Sequence, residues 1–508
     1  MKKKFILNAT VLTSTALITQ TIGMFFRIYM VNAIGTQGIG LYQLVSSVYL
    51  LTVTFCTSGI SLAVTRLITE SLALKQYSKA KTVIKTCMSL ALILSVLAGF
   101  ALYLNAHNIG TTILKDERTI LSLKILAPSL PFLSISACFR GYFYAKRTAI
   151  KTASEHLLEQ IVEIVIFSLI ISSMASKGLE YACASIAIGA TASEIISCGY
   201  SYTMYKIDKI KAKTSSKSNK ELYKKILSIG LPVTISSCIR TGLFTIENIL
   251  IISGLKKYGQ TYEKSLSDYG TITGLVVPVL AFPSAFLMCF STLMIPEMSE
   301  AKATVRKNSI HYMTQRIIRF ALLFSLPLSV IFFFFANDIS MILYSNKEAG
   351  IYMRWLAPIV PLMYLDSVVD GMLKGLNEQL HYLTYNMIDS SIKVTLIYFL
   401  LPIYGIKSLI VIMFLSSIIN CSLSLKRLLN VTKLKFKLIE WVLKPLLSIT
   451  IPCFIIELLE QKEILPENYL CTILYILISV LIYMIIMIIT GAMKREELQW
   501  IKKTIKLR

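Results

Sequence analysis

The sequence predicts an all-α membrane protein with about 14 transmembrane helices, on three observations. Of its 508 residues, 55% are hydrophobic and only 16% are charged, whereas soluble domains carry about 25% charged residues. The apolar residues form long continuous runs of the length that a membrane-spanning helix needs. One segment also occurs twice, which predicts two related halves, since a fixed-offset repeat determines an architecture.

The apolar runs divide into predicted spans that alternate with short polar loops. Lysines follow the first methionine as in a signal peptide, but no cleavage site follows convincingly, so the first run is interpreted as an uncleaved helix. The spans cover about 5–33, 42–65, 84–104, 120–145, 155–175, 180–204, 224–253, 268–295, 316–336, 350–373, 384–402, 405–425, 441–459 and 468–492.

The repeated segment is a proline pair followed by a glycine. Its first copy contains Pro128, Pro131 and Gly141, and each recurs 230 residues later in the second copy. Prolines interrupt helices, and paired interrupted helices at matching places are typical of duplicated transporters. We therefore expect hinges at these six positions. The second copy consists of Pro358, Pro361 and Gly371.

The duplication predicts four regions. Residues 1–204 form an N-lobe of six helices and 224–425 a C-lobe of six, which makes the lobes pseudo-symmetric. A basic cytoplasmic linker, 205–223, joins them, and 426–508 adds two C-terminal helices and a basic tail. Both lobes start on the same side, so they are parallel repeats, and substrate sites in such transporters lie between the halves.

The distribution of positive charge predicts the orientation. Most of the 52 Lys and Arg residues lie at the N-terminus, at the C-terminus and in every second loop. Cytoplasmic loops carry such an excess, so both termini are expected in the cytoplasm of a multi-pass protein of the bacterial cytoplasmic membrane. The net charge of +24 therefore indicates contact with anionic membrane lipids rather than nucleic acid.

The composition indicates neither a metal site nor a disulfide framework. The 10 cysteines include no Cys-x-x-Cys pair and lie mostly within apolar runs, where cysteine usually packs as a small apolar residue. No nucleotide-binding loop occurs, so no cofactor is expected and ATP is not the direct energy source.

Ionisable residues inside spans are the candidate substrate-binding residues, because burying a charge in lipid is costly. Arg27 and Arg240 lie in the first span of each predicted lobe, and Glu247 follows Arg240 by two helical turns. An arginine fork binds phosphate oxygens bidentately and stays charged when desolvated, so two forks would hold a diphosphate. The alternative is that the arginines form ion pairs with Glu159 and Glu163, which are one turn apart.

Other intramembrane charges have less specific interpretations. Asp389 and Lys393 are spaced as a helical ion pair, so mutual neutralisation is as good an account as a substrate role. Asp370 is expected near the cytoplasmic interface. Nothing in the sequence explains Glu194 and Glu457, which are isolated in apolar runs.

Several motifs together resemble the stage V sporulation protein B family. Residues 35–42 (Gly-Thr-Gln-Gly-Ile-Gly-Leu-Tyr) look like that family's first loop. Residues 140–143 (Arg-Gly-Tyr-Phe), followed by 158–161 (Leu-Glu-Gln-Ile), resemble its fourth and fifth helices. Arg240 with Glu247 is similar to its seventh helix. Each motif is weak alone, but their order and spacing are fairly specific.

The resemblance implies membership of the multidrug/oligosaccharidyl-lipid/polysaccharide exporter superfamily. It implies fourteen helices, with a V-shaped central cavity between two six-helix lobes. It also implies a role in spore cortex peptidoglycan formation, in which a lipid-linked anionic precursor crosses the membrane, with cell-wall synthesis proteins as further partners.

Two other functions compete with a flippase. A cation-coupled multidrug exporter of the same superfamily needs an acidic residue in the cavity, and Glu159, Glu163 or Glu247 would serve. A membrane-embedded glycosyltransferase needs acidic catalytic residues on large outer loops. The predicted outer loops reach only about a dozen residues, which argues against an enzyme.

Overall fold

The computed structural model describes residues 2–208, 220–303, 307–434, 436–461 and 469–489, and in these ranges the chain is helical without a strand. Twelve helices there are long and apolar enough to cross a membrane, which confirms the predicted fold class. Of the predicted linker 205–223, residues 209–219 lie outside the described residues, as does the tail from 490 onward.

The chain divides into two compact units. Unit 1 contains Met1–Gly274 and Val394–Ile406, and unit 2 contains Leu275–Lys393 and Lys407–Arg508. The helices are α1 (Lys2–Ala73), α2 (Tyr77–Asn108), α3 (Thr119–Leu126), α4 (Leu130–Ala145), α5 (Ala149–Ala175), α6 (Leu179–Asp208), α7 (Lys220–Lys257), α8 (Tyr262–Tyr269), α9 (Val277–Ala281), α10 (Ser284–Ala303), α11 (Lys307–Phe334), α12 (Ala336–Tyr344), α13 (Lys347–Leu356), α14 (Val360–Gly375), α15 (Gln379–Tyr404), α16 (Ile406–Thr432), α17 (Lys444–Gln461) and α18 (Tyr469–Ile489).

The predicted loop between the first two spans is a single-residue break within α1. A straight helix of 72 residues would be about 108 Å long, far more than the hydrocarbon core of about 30 Å. Gly35 divides it with φ 71° and ψ 176°, a conformation that glycine adopts without steric cost. The residues that follow, 36–42, are helical, so interpreting this stretch as a loop was wrong.

The predicted span 268–295 is not one helix. It comprises the end of α8, a π-helical segment Gly270–Val276, the short α9 and part of α10. The described residues therefore give twelve candidate spans, one of them Ser14–Ala73, and the predicted number of fourteen is not confirmed.

The repeated sequence folds into a repeated local structure. In the first copy α3 ends in a 3₁₀ turn, Ala127–Ser129, which leads into α4. In the second copy α13 ends in the turn Ala357–Ile359, which leads into α14. The left-handed residues Arg147 and Asn377 follow the two copies at equivalent places. Each proline occupies a first-turn position, where its missing N–H costs no intrahelical hydrogen bond.

Hydroxyl groups on neighbouring helices bond to the backbone near both turns. Thr191 of α6 donates to the Ile125 carbonyl over 2.9 Å, and Ser329 of α11 donates to the Ala357 carbonyl over 2.9 Å. Tyr49 of α1 also lies 2.5 Å from the hydroxyl of Ser129. Backbone groups freed in a membrane need such partners. The turns are therefore anchored from outside, and whether they act as hinges stays a prediction.

The two glycines of the repeat permit close helix packing. A Cβ atom on Gly141 would lie 2.8 Å from the carbonyl oxygen of Ser61 on α1. One on Gly371 would lie 1.7 Å from the Ser291 hydroxyl on α10. Ser291 is the counterpart of Ser61 at the same offset, so α1 with α4 and α10 with α14 pair in the same register. Small residues allow this approach between membrane helices.

A second close approach, within unit 1, is reciprocal. A Cβ atom on Gly40 would lie 2.2 Å from the carbonyl oxygen of Leu266, and one on Gly270 would lie 2.2 Å from that of Thr36. Gly270 and Leu266 are the repeat counterparts of Gly40 and Thr36. The Thr36 and Ser267 hydroxyls, 2.7 Å apart, hydrogen bond beside this contact. The segments 36–40 and 266–270 therefore contact each other through equivalent positions.

We predict that Gly141→Ala lowers the melting temperature, because its methyl group would meet the α1 backbone. Overpacking of this kind costs about 1–3 kcal/mol. Unfolding in detergent can be followed through the reactivity of the buried thiols of Cys56, Cys87 and Cys138. Gly199→Ala is the control, since no atom lies within 4 Å of its added Cβ. Equal melting temperatures for the two variants would refute the packing role.

Candidate functional site

Arg27 lies on α1, about two turns before the break at Gly35. Its side chain is half-buried, and Nη1 donates to the carbonyl oxygen of Gly274 over 3.4 Å. Gly274 belongs to the π-helical segment, and π turns often mark functional positions because they displace carbonyls from the regular ladder. The guanidinium is thus directed into unit 1.

Tyr42 connects Arg27 with the predicted acidic residues. Its hydroxyl is within electrostatic range of both Arg27 and Glu163. Glu163 is half-buried on α5 and interacts with the charge of Glu159, one turn away. The structure therefore brings three of the predicted site residues, Arg27, Glu159 and Glu163, into one region of unit 1.

Arg140 is the cation at the centre of a carboxyl cluster, formed with Glu155, Glu159 and Glu194. Its Nη1 lies 3.2 Å from Glu155 Oε1, and the Glu155 side chain is fully buried. The same nitrogen lies 3.9 Å from Glu159 Oε2, and His156 Nδ1 lies 3.5 Å from that oxygen. Glu159 thus lies within ion-pair distance of Arg140, an arginine of the same predicted lobe that the sequence did not single out as its partner.

Glu194, which the sequence left unexplained, completes the cluster from α6. Its carboxyl group lies within electrostatic range of Arg140 and of Glu159. One carboxyl oxygen each of Glu155 and Glu194 is buried without a hydrogen-bond partner among the described residues. The cluster therefore has more carboxyl groups than its one arginine can pair with.

The other predicted pair lies on α7. Arg240 is exposed and makes no ion pair with any described residue, whereas Glu247 is half-buried and interacts electrostatically with Tyr269 at the end of α8. The two residues are thus in different surroundings despite their helical spacing. No contact joins Arg240 to the carboxyl cluster within the described part of the chain.

Unit 2 has a polar cluster that sequence reasoning missed in part. Asp366 Oδ2 accepts a hydrogen bond from Asn420 over 3.1 Å, and Asp389 Oδ1 accepts one from Ser416 over 2.7 Å. Asp370 pairs with Lys374 at 2.6 Å. Ser416 and Asn420 are one turn apart on α16, so they lie on one face of that helix. This spacing of polar residues inside an apolar run could have predicted their part in the cluster from the sequence. No group of three or more metal-ligand side chains occurs in the ranges described.

Comparison with known families identifies the fold's relatives. The sequence model of the polysaccharide biosynthesis protein family matches residues 5–302. The chain belongs to this family. The MatE family model also matches, over residues 232–399, and the two matches place the chain in the multidrug/oligosaccharidyl-lipid/polysaccharide exporter superfamily.

Two relatives from Bacillus subtilis (strain 168) cover most of the chain. Stage V sporulation protein B is 25% identical over 507 residues, which is 98% of each chain. The lipid II flippase MurJ is 22% identical over 415 residues, 75% of this chain and 74% of the relative. The predicted resemblance to the stage V sporulation protein B family is confirmed.

Solved structures support the same architecture. A lipid II flippase MurJ in an inward closed conformation aligns with a TM-score of 0.71 over 95% of this chain and 99% of its own, at 15% identity. An inward-facing multidrug resistance MATE family transporter aligns with 0.63 over 84% and 99%, also at 15% identity. These two structures share the fold. Together with the family matches and the two relatives, they make the protein a multi-pass membrane transporter or flippase of this superfamily rather than an enzyme.

We predict that Arg140→Ala strongly destabilises the protein, because it leaves the fully buried Glu155 without its cation. Removing one partner of a buried pair costs about 3–5 kcal/mol. The matched control is Arg66→Ala, whose pair with Glu70 has side chains 63% and 40% exposed and should contribute about 1 kcal/mol or less.

Thermal unfolding in detergent measures both variants. The double variant Arg140→Ala/Glu155→Ala should recover part of the loss, since the unpaired carboxylate is then absent. A change for Arg140→Ala no larger than that for Arg66→Ala would show that the buried pair is not formed.

Proposed function

We propose that this protein is a flippase for an undecaprenyl-diphosphate-linked peptidoglycan precursor, similar to lipid II, used in spore cortex formation. The support is the likeness over almost the whole chain to a protein named for a sporulation stage, and over three quarters of it to a named lipid II flippase. The substrate is a lipid-linked anion, with cell-wall synthesis proteins as partners in its supply or use.

The observation that carries the proposal is the position of Arg27. Its guanidinium is directed into unit 1, close to Tyr42 and to a carboxyl cluster that already has its own arginine, Arg140. Arg27 is thus a second cation, placed where a diphosphate could replace its long contact to the Gly274 carbonyl. A phosphate accepts two parallel N–H bonds from one guanidinium.

The other site residues have supporting roles in this proposal. Arg240, exposed and unpaired among the described residues, supplies the second fork for the diphosphate. The carboxylates offset part of the positive charge of the two arginines, so that the anion binds but can also dissociate. These carboxylates are Glu247, Glu159 and Glu163. Transport follows by alternating access, in which the lobes 1–204 and 224–425 rock about a V-shaped cavity and the proline turns bend.

The topology is also a proposal. The excess of Lys and Arg in alternate loops supports an orientation with both termini in the cytoplasm. The basic loops would then face the anionic inner leaflet, and the headgroup would move between this side and the outer surface.

We predict that Arg27→Ala and Arg240→Ala each slow precursor flipping by roughly 10- to 100-fold, because each removes hydrogen bonds to a charged group. Full-length protein is reconstituted in liposomes with a fluorescent lipid-linked precursor, and an impermeant quencher reports which leaflet holds it. Arg66→Ala, on the same helix as Arg27, is the control and should flip at the wild-type rate.

Two outcomes separate the parts of this proposal. Wild-type rates in both arginine variants would refute the binding role while leaving a flippase. No change of leaflet with the wild-type protein would refute the flippase itself.

One observation favours a second candidate, a cation-coupled multidrug exporter of the same superfamily. The carboxyl groups of Glu159 and Glu194 lie within electrostatic range of each other inside the bundle, and neighbouring acidic residues in such a position are what a proton-coupled exporter requires. Dye efflux from a drug-sensitive host distinguishes the candidates. The exporter requires efflux that is lost in Glu159→Gln and Glu194→Gln.

A further inference from the structure

Unit 2 contains a cavity of about 570 Å³ with an almost wholly apolar lining. The volume lies within the range of small-ligand pockets, about 300–1,000 Å³. We call this cavity the Arg354 groove, because that residue is its charged group. Its other lining residues include Phe333, Trp355, Val411, Phe414 and Leu415.

The Arg354 groove lies near one end of the helices that form it. Arg354 is two turns from the start of α13, and Val411 is little more than one turn from the start of α16. The span Lys347–Gly375 has 29 residues, about 43 Å, so its ends extend beyond a hydrocarbon core of about 30 Å. Trp355, 64% exposed, is of the type enriched at membrane interfaces. With the span centred on the core, each end extends about 7 Å beyond it, so Arg354, about 10 Å from the end, lies just inside the core boundary. A long arginine side chain there reaches the headgroups.

The guanidinium in the groove is under-coordinated. Its Nη2 lies 3.6 Å from Glu457 Oε1 and 3.4 Å from the Phe334 carbonyl oxygen, both long for charge-assisted bonds. Its Nε is buried and has no hydrogen-bond partner in the described part of the chain. Arginine has five N–H donors. Nε is too buried to meet a ligand, but Nη1 makes no hydrogen bond to a described residue and Nη2 makes only these long contacts, so the two Nη groups are the donors that a ligand can use.

We propose that the Arg354 groove binds an anionic membrane phospholipid, with its phosphate on the guanidinium and one acyl chain along the apolar lining. The groove combines a cation with free donors, an interfacial depth and an apolar surface leading away from the cation. A phosphodiester and its chain match these three features together. The site is separate from Arg27 and does not depend on the proposed flippase activity.

A lipid bound in the Arg354 groove would also contact the second of the two repeated proline turns. Pro358 lines the groove and belongs to the turn Ala357–Ile359 that joins α13 to α14. A bound chain therefore packs against the element that interrupts this span. Lys124 occupies the equivalent position of the first repeat, where its ammonium lies 5.9 Å from the Tyr103 ring. It supplies a matched control.

The test is quenching of Trp355 by brominated lipids. Full-length protein is placed in phosphatidylcholine nanodiscs that contain either brominated phosphatidylglycerol or brominated phosphatidylcholine. The Trp355 signal is the difference between the wild type and Trp355→Phe. We expect half-quenching at a mole fraction of the anionic lipid roughly three- to tenfold lower than that of the zwitterionic lipid.

Four variants distinguish a lipid site from a structural ion pair. Arg354→Gln should remove the preference, and Lys124→Gln should leave it unchanged. Glu457→Gln should increase it, because the competing carboxylate is lost, whereas a purely structural pair predicts a decrease. Val411→Phe narrows the groove without touching the guanidinium, and should weaken the preference even if Arg354→Gln fails to fold.

Two results would overturn the proposal. One is equal quenching by both lipids in the wild-type protein. The other is an unchanged preference in folded Arg354→Gln, which would mean that the guanidinium does not hold the lipid phosphate.

Discussion

A backbone group released from a helix inside a membrane has no water to bond with, and this constraint governs the interruptions in this chain. Each break occurs where a glycine can adopt the required conformation or where a side chain hydrogen bonds to the released backbone group. Glycine breaks α1 at Gly35, hydroxyls of Thr191 and Ser329 bond near the two proline turns, and Arg27 bonds to the carbonyl of Gly274. The bond from Arg27 matters most, because the hydrogen bond that stabilises the distorted helix at Gly274 also holds a cation inside unit 1.

Charged side chains inside the bundle also need partners, and leaving one unpaired costs more free energy than leaving a backbone group unpaired. Arg140 neutralises the fully buried Glu155 and approaches Glu159, while Glu194 lies within electrostatic range of the same arginine. Arg27 is in different surroundings, where it bonds to the Gly274 carbonyl and lies within electrostatic range of Tyr42. The sequence alone could not tell these two surroundings apart, because the residues that create them lie on other helices.

The sequence predicted what depends on local pattern and missed what depends on distant contacts. The repeat at Pro128 and Pro358 recurs as the same turn because proline acts on its own helix. The supposed loop at 35–42 was wrong, since one glycine suffices to break a helix. Glu194 and Glu457 had no explanation because their partners, Glu159 and Arg354, lie on other helices. Periodicity carries no information on such pairs.

The reciprocal contact of Gly40 with Leu266 and of Gly270 with Thr36 limits the substitutions that this chain tolerates. Each segment contacts the other as the two sides of an isologous interface do. An alanine at either glycine would place its methyl group against a carbonyl of the opposite segment. Because the two close approaches belong to one contact, either substitution separates both of them, and the effects of the two substitutions should not add.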